Sequence, residues 1–379
     1  KKLSLCWQVQ IQPFDTPDFW LVYTDAVTGA VLVKENLAVK CVWDKQSAEP
    51  RYFADYTENK EPNSTHIPQA FDNGGDNINS VVFNVIKFPA ASPSHAGGSP
   101  APDTNPWERV SPGSGADNYK WNADDLNTYD YTRGNNVQAQ EDVNHTNGGR
   151  RATSSTMLPN LTFNFTFDST REPVETSNQN FAITNLFYWT NIMHDISFIY
   201  GFNEASGNFQ QNNKHSAGID GDLVYADAQD GSGANNASFL TPPDGQSPRM
   251  QLSLFNGTPK RDPDLDNAVI CHEYTHGISN RLVGGASIVT CLQNEEQMGE
   301  GWSDYFALML TTDWATAKPG DGINKRPIAT YSLAQPPDGT GVRIHPYSTD
   351  MAIDPWTYAD LPNVPTTGGY PSPHAVGEI

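Results

Sequence analysis

The stretch NAVICHEYTHGISNRLVGG, residues 267–285, predicts a helix with one metal-binding face. His272 and His276 are four residues apart, so on an α-helix they lie on the same face, one turn apart, and their imidazoles can bind one metal ion. Glu273 lies on the adjacent flank, where it can accept a proton from an attacking water without being a ligand itself. The glycine pair at 284–285 predicts the end of the helix.

A catalytic zinc ion needs a third protein ligand, and a later acidic segment offers one. In EEQMGEGWSDYFALML (295–310), Glu300 and Asp304 are four residues apart and share a helical face. If the two helices pack side by side, Glu300 completes a His-His-Glu site and Asp304 accepts the outward N–H of a ligand histidine. The competing interpretations are histidines satisfied by ordinary hydrogen bonds and an ordinary acid at Glu300, since Glu295 and Glu296 lie nearby. A structural zinc site is disfavoured because it usually has four protein ligands, mostly cysteine.

The composition excludes several kinds of partner. The chain has 379 residues, with 23 Lys and Arg against 44 Asp and Glu, a formal net charge of −21. This charge argues against binding to nucleic acid or to an anionic membrane surface. No apolar run approaches the roughly 20 residues that span a bilayer. Calcium is a plausible cofactor for so acidic a chain, but no motif places it.

Sequons favour a secreted protein and predict sites of glycosylation. Six Asn-x-Ser/Thr sequons begin at Asn63, Asn144, Asn160, Asn164, Asn236 and Asn256. The chain also opens in what reads as the middle of a strand-rich unit, so we expect a processed piece of a longer precursor.

The four cysteines fit an oxidising compartment. By position, Cys6 pairs with Cys41 and Cys271 with Cys291, although four cysteines allow three connectivities. Cys271 could instead be a thiolate ligand, but it lies about 100° round the helix from His272 and points away from the metal. A disulfide or a buried thiol is therefore expected at this position.

Hydrophobic patterning divides the chain into segments. Residues 5–40 alternate in strand fashion and include a hairpin, whereas 49–150 are rich in Pro, Gly, Ser and Asn and predict irregular chain with short strands. Strict alternation predicts a strand over 158–168. Residues 180–202 predict a long helix buried on most faces. Residues 222–239 predict two strands around a glycine-rich turn.

HEYTHGISNRLVGG followed by MGEGWSD closely resembles the fungalysin family of secreted zinc metallopeptidases, a branch of the thermolysin-like gluzincins. NNASFLTPPDGQSPRMQ and ITNLFYWTNIMHD also resemble this family, so the likeness runs from about residue 85 to 379. The first forty-odd residues resemble the tail of the family's N-terminal propeptide, which assists folding and inhibits the zymogen.

The resemblance implies an α+β, two-lobed thermolysin-like fold with the active site in the cleft between the lobes. Residues 1–48 would be a propeptide-like β unit. Residues 49–260 would form a β-rich N-terminal lobe with the long helix and a substrate edge strand. Residues 261–379 would form a mainly helical zinc-binding lobe, which we expect to be incomplete at its C-terminus because the family's helical lobe normally continues further.

The resemblance also implies roles for single residues, and these agree with the spacing argument. His272, His276 and Glu300 would be the ligands of one zinc ion, and Glu273 would be the general base. His374, in HAVGEI, matches a histidine that donates to the oxyanion of the tetrahedral intermediate in thermolysin-like enzymes.

Substrate binding is implied at a second place. Asn235, Asn236 and Ala237 would belong to an edge strand on which a peptide substrate lies by β-augmentation. A glycan on Asn236 would lie in the substrate groove, so we expect that sequon to be unoccupied. Thermolysin-like enzymes also carry a tyrosine as a second oxyanion donor, but 277–299 contain none, which leaves Arg343 as a candidate for substrate binding or structural pairing.

These expectations describe a secreted, extracellular zinc endopeptidase that is made as a zymogen. Its partners would be extracellular protein or peptide substrates and its own propeptide as inhibitor. The alternative is a non-catalytic or permanently inhibited extracellular binding or structural protein that retains the fold. The intact Glu273 argues against a decayed enzyme.

Overall fold

Thirteen strands and five α-helices form within the residues that the computed structural model describes, which are 5–11, 13, 18–42, 77–116, 119–214, 217–292, 297–367 and 370–379. The strands are β1 (Cys6–Ile11), β2 (Trp20–Asp25), β3 (Val31–Asn36), β4 (Ala38–Val42), β5 (Ser80–Val85), β6 (Ala101–Thr104), β7 (Val137–Glu141), β8 (Asn160–Phe163), β9 (Val224–Ala228), β10 (Asn236–Leu240), β11 (Arg249–Leu252), β12 (Thr366–Thr367) and β13 (Tyr370–Pro371). The helices are α1 (Trp107–Val110), α2 (Thr176–Ile199), α3 (Asn267–Val283), α4 (Gly299–Leu310) and α5 (Pro373–Gly377).

The strands form four sheets in this part of the chain. The largest has the order β4-β10-β11-β9-β7, in which β7, β9 and β11 run parallel and β10 is antiparallel to both of its neighbours. A second sheet has the order β6-β5-β8, and β1, β2 and β3 form an antiparallel meander. The last is the β12-β13 pair. The described residues therefore contain both α-helices and several β-sheets, in agreement with the α+β prediction.

The long helix α2 lies in the main core, as predicted. Every residue from Phe181 to Asp195 is buried, because apolar side chains occur on all of its faces. One cluster of buried apolar side chains joins α2 to the five-stranded sheet, to the β6-β5-β8 sheet and to α3 and α4. The helix that carries the metal-binding motif is thus held by the same core as the sheets.

Two strand predictions need correction. The strand predicted over 158–168 is short, because β8 pairs with β5 only from Asn160 to Phe163. The two strands predicted within 222–239 exist as β9 and β10, but they do not form a hairpin, since β11 lies between them. The hairpin predicted within 1–48 is present as β2 and β3.

The N-terminal strands are attached to the rest of the molecule in two ways. β4 pairs antiparallel with β10 along its whole length. Leu21 and Leu37 are buried against Leu240 and Val289. The unit predicted over 1–48 therefore packs against the main body, and its residues 43–48 lie outside the described residues.

The structure describes the side chains of three of the four cysteines that the sequence analysis paired. Cys6, Cys271 and Cys291 are free thiols. α3 turns Cys271 into the main core, where burial raises the pKa of its thiol, whereas Cys291 is exposed. Cys6 lies on the β1-β2-β3 sheet, whereas Cys41 lies on β4 of the largest sheet. A buried, free Cys271 is what the buried-thiol alternative expects.

Candidate metal centre and substrate strand

α3 and α4 bring the predicted ligands together. The Nε2 atoms of His272 and His276 lie 3.0 Å apart. Oε2 of Glu300 lies 3.0 Å from Nε2 of His272 and 3.3 Å from Nε2 of His276. All three residues are buried, and α3 ends directly before Gly284, as the glycine pair predicted.

Asp304 lies one turn after Glu300 and orients the first histidine. Its Oδ1 lies 2.7 Å from Nδ1 of His272, so the imidazole donates to the carboxylate and turns Nε2 towards Glu300. Arg343 donates to the same carboxylate, from Nε to Oδ2 at 2.5 Å and from Nη2 to Oδ1 at 2.8 Å. Arg343 is only 3% exposed, and its pairing with Asp304 is what the structural alternative predicts.

The electrostatics of this cluster favour a cation. Burial lowers the pKa of His272, but hydrogen bonds to Asp304 and Glu300 outweigh burial and raise the pKa to about 9. Burial raises the pKa of Glu300, yet the neighbouring His374 and His276 hold it well below its ordinary value. The carboxylates therefore stay ionised beside the imidazoles, and the pocket attracts positive charge.

The donor atoms fit zinc. Imidazole nitrogen and carboxylate oxygen are usual zinc ligands, and a tetrahedral site with bonds of about 2.0 Å places its donor atoms about 3.3 Å apart. The separations among His272, His276 and Glu300 are 3.0 to 3.3 Å. Three protein ligands leave a fourth position for water or substrate, as in catalytic zinc sites.

Glu273 and His374 flank the three ligands. Glu273 follows His272 on α3 and is fully buried. Nε2 of His374 on α5 lies 3.0 Å from Oε2 of Glu300, and its side chain is 23% exposed. Burial lowers the pKa of His374, and the charge of Glu300 acts in the opposite direction. A partly exposed imidazole in this position can donate a hydrogen bond to a bound molecule.

Two glycines that the sequence analysis did not single out place His374 here. A Cβ on Gly301 would lie 2.6 Å from Cα of Gly377, and a Cβ on Gly377 would lie 2.5 Å from Cα of Gly301. Real side chains do not tolerate such contacts, so α4 and α5 touch through bare backbone. In the sequence, the signal for this contact was a glycine directly after Glu300 and another three residues after His374.

The predicted substrate strand β10 is not a free edge. β4 covers it with the register Asn236 opposite Val42 and Leu240 opposite Ala38. On this side the sheet therefore ends with β4. β10 has no free edge here because the N-terminal strand β4 pairs with it. The Oδ1 atom of Asn236 is buried and has no hydrogen-bond partner among the described residues.

β10 lies directly against the metal-binding helix. A Cβ on Gly277, the residue after His276, would lie 2.5 Å from the ring of Phe239 on β10 and 2.8 Å from that of Phe209. Glycine at this position therefore allows α3 and β10 to approach each other closely. Ala237 is buried, and Asn235 enters the strand with a φ of 55°.

A second group of possible metal ligands lies at the carboxyl ends of β7 and β9. Asp142, His145 and Asp230 are all buried, with Nδ1 of His145 3.5 Å from Oδ2 of Asp230. Calcium prefers six to eight oxygen ligands. Here one donor is an imidazole, and the carboxylates already accept N–H groups of Thr146 and Gln251. Calcium therefore stays a prediction without a site.

The predicted glycosylation sites differ in accessibility. Four asparagines are exposed: Asn144, Asn160, Asn164 and Asn256. Asn236 is partly buried beneath the β4 pairing, which is consistent with an unoccupied sequon. Asn63 lies outside the described residues. Among the helices in the described part of the chain, none has the length and apolar character needed to cross a membrane.

Comparison with known proteins gives a consistent result. A family model described as fungalysin metallopeptidase (M36) matches residues 82–379. Extracellular metalloproteinase 2 of Arthroderma otae is 38% identical over 313 residues, which are 81% of this chain and 46% of the relative. Extracellular metalloproteinase 2 of Trichophyton rubrum is 33% identical over 364 residues, 94% of this chain and 53% of the relative. Extracellular metalloproteinase MEP of Pyricularia oryzae is 38% identical over 311 residues, 80% and 45% respectively.

The chain spans about half the length of the curated relatives that it matches. The family model nevertheless covers α3, α4, β10 and α5, and so includes every residue of the candidate metal centre described above. The chain belongs to the fungalysin metallopeptidase (M36) family.

Proposed function

We propose that this chain is a secreted zinc endopeptidase made as an inactive precursor. The observation that carries the proposal is the convergence of His272, His276 and Glu300 within 3.0 to 3.3 Å of one another, beside the buried Glu273. The relatives' names, which describe extracellular metalloproteinases, support secretion. The division into lobes at residues 49–260 and 261–379 belongs to the same proposal.

Each residue of the centre has a separate task. His272, His276 and Glu300 would hold one zinc ion, which supplies Lewis-acid polarisation of the scissile carbonyl and lowers the pKa of water. Glu273 takes the proton from the attacking water and passes it to the leaving amine. His374 donates a hydrogen bond to the oxygen that becomes negative in the tetrahedral intermediate.

β10 binds the substrate as an extended strand in this proposal. An antiparallel partner can form main-chain hydrogen bonds along a strand whatever its side chains are, which suits extracellular proteins or peptides of varied sequence. β4 already makes this type of contact, and the Oδ1 atom of Asn236 can accept from a substrate N–H. The main chain at Asn235 and Ala237 would complete the binding strand.

The N-terminal unit, residues 1–48, acts as the inhibitor. β4 occupies the same hydrogen-bonding edge of β10 that a substrate strand would need. Apolar contacts of Leu21 and Leu37 anchor the unit near that strand. Removal of the unit would expose β10. Inhibition thus follows from direct competition and needs no change in the metal ligands.

The test is casein hydrolysis together with zinc content, measured on the chain and on a form that begins at residue 43. We expect one zinc per chain, activity that is higher in the shortened form, and loss of activity with a chelator. Glu273→Gln keeps the size of the side chain and removes the base, so hydrolysis should fall by roughly 100-fold or more while zinc is retained. Glu175→Gln, at the exposed start of α2, is the matched control.

Zinc without hydrolysis in the shortened form would overturn the endopeptidase proposal and favour the alternative, an extracellular binding protein that retains the fold. Full activity of the Glu273→Gln variant would reject the proposed base. Absence of bound zinc in an active protein would reject the metal assignment.

A further inference from the structure

Asp304 is held by more groups than the sequence motif contains. Its Oδ2 accepts a hydrogen bond from the hydroxyl of Tyr347 at 2.7 Å, in addition to the bonds from Arg343 and His272. The carboxylate therefore accepts two donors on each oxygen: His272 and Arg343 on Oδ1, and Arg343 and Tyr347 on Oδ2. Asp304 is fully buried, so these donors replace the water that a carboxylate would otherwise bind.

The hydroxyl of Tyr347 can act only as a donor to this carboxylate. Burial and the charge of Asp304 raise the pKa of the phenol well above its ordinary value, so it stays protonated. Arg343 is a fork with a fixed spacing between its two donors, and it can fix the carboxylate only as well as its own position is fixed. The hydroxyl adds a donor from a separate side chain and limits rotation of the carboxylate.

The segment that carries Arg343 and Tyr347 is itself well anchored. The two carboxylate oxygens of Glu378 accept the backbone N–H groups of Ile344 at 3.0 Å and of His345 at 2.8 Å. The backbone of Tyr347 exchanges two hydrogen bonds with Arg326, at 2.9 and 3.2 Å. The backbone that carries the phenol is therefore held in place. A side chain can position another side chain only if its own backbone is held in this way.

We propose that Tyr347 is a positioning residue of the metal centre. Its hydroxyl holds Asp304 in the orientation in which the carboxylate accepts from Nδ1 of His272 and directs Nε2 towards the metal. This inference rests on the proposed function only in that His272 binds zinc. It adds a residue that lies far along the chain from the HEYTH and GEGWSD segments and that the sequence analysis did not name.

The experiment measures zinc affinity of the whole chain by competition with a chelator of known affinity. Tyr347→Phe removes one oxygen atom and keeps the ring. Loss of a group that supports a ligand typically weakens metal binding by about 10- to 100-fold, and we expect at least roughly tenfold here. Tyr305→Phe removes an exposed hydroxyl from the residue next to Asp304 on α4 and should leave affinity within about twofold.

A double-mutant cycle separates positioning from a general effect on packing. If Tyr347 acts through Asp304, Tyr347→Phe should weaken zinc binding in the original chain but cause little further loss in an Asp304→Asn background. Equal losses in both backgrounds would overturn the proposal. Unchanged zinc affinity of Tyr347→Phe in a chain that binds zinc would also overturn it.

The outcomes also distinguish this inference from the proposed function. A chain that binds zinc but does not hydrolyse casein, and whose affinity depends on Tyr347 through Asp304, would refute the endopeptidase and support the positioning role. An active chain whose zinc affinity is unchanged by Tyr347→Phe would support the endopeptidase and refute the positioning role. Thermal unfolding of the chelated variants checks the fold. If Tyr347→Phe lowers the unfolding midpoint equally in the original chain and in the Asp304→Asn background, the double-mutant cycle for zinc affinity stays valid.

Discussion

At the scale of single residues, the bare contact between Gly301 and Gly377 controls the distance from His374 to Glu300. A methyl group on Gly301 would lie 2.6 Å from the backbone of Gly377, so α5 must move or deform. We expect Gly301→Ala to destabilise the fold by about 1–3 kcal/mol through overpacking. With His374 in its proposed role, hydrolysis should fall on the order of 100-fold, because displacement of a catalytic group by about 1 Å has an effect of that size.

The control is Gly320→Ala, because a Cβ at Gly320 would meet no atom within 4 Å. Denaturant unfolding gives the loss of stability, and zinc content tests whether the ligands on α3 and α4 remain in place. Retained zinc with lost hydrolysis supports the separate role of His374. Full activity of Gly301→Ala would show that the position of α5 does not matter for the reaction.

At the scale of elements, the pairing of β4 with β10 allows a test of the proposed inhibition by the N-terminal unit. Val39 lies opposite Phe239 in this pairing. Proline inside a strand removes a backbone N–H and disrupts the ladder, so Val39→Pro should release β4 from β10. We expect the unprocessed variant to hydrolyse casein roughly tenfold faster than the original chain, because a lost strand pairing of about 1.4 kcal/mol or more would expose β10.

Val9→Pro is the comparison variant, because Val9 lies on β1 in a sheet that does not include β10. It should disturb the N-terminal sheet without releasing β4. Equal activation by both variants would mean that the whole N-terminal unit, and not β4 in particular, prevents hydrolysis. No activation by Val39→Pro would contradict inhibition by strand competition.

At the scale of the whole molecule, buried acids predict how stability depends on pH. Burial is the largest cause that raises the pKa of Asp142, Asp222 and Glu378, each to about 7. Their pKa values in the unfolded chain are near 4, so between about pH 4 and pH 7 the folded chain binds more protons than the unfolded chain. The free energy of unfolding should therefore fall as pH rises through this window.

In the chelated protein the metal centre adds to this trend. The raised pKa of His272, about 9, contributes stability that is lost as pH rises from about 6.5 to 9. The lowered pKa values of Glu300 and Asp304 have the opposite sign, but they act only as pH falls below about 4.5. Between pH 5 and pH 8 we thus expect a net loss of a few kcal/mol, since a pKa change of one corresponds to about 1.4 kcal/mol.

Urea unfolding of the chelated chain at pH 5 and pH 8 measures this loss. Glu378→Gln removes one of the buried acids and should make the pH dependence shallower. Glu172→Gln, at an exposed position, should leave it unchanged. Stability that rises between pH 5 and pH 8 would contradict the assignment of these three carboxyls as protonated, buried groups.

The local features of this protein could be predicted from its sequence. The four-residue spacing of His272 and His276 places both on one helical face by helix geometry alone, and the same holds for Glu300 and Asp304. The burial of α2 and the hairpin near the N-terminus likewise follow from patterns within a few turns or strands. Such patterns are readable because the residues involved are close in sequence and their geometry is that of the helix or strand itself.

Only the tertiary structure decided which distant segments meet. Arg343 and Tyr347 donate hydrogen bonds to Asp304, and β4 pairs with β10. Cys271 lies in the core, whereas Cys291 is exposed. Each of these contacts joins residues far apart along the chain, and none has a spacing that indicates its partner. They result from how helices and sheets pack against one shared core, which a pattern within a single element does not contain.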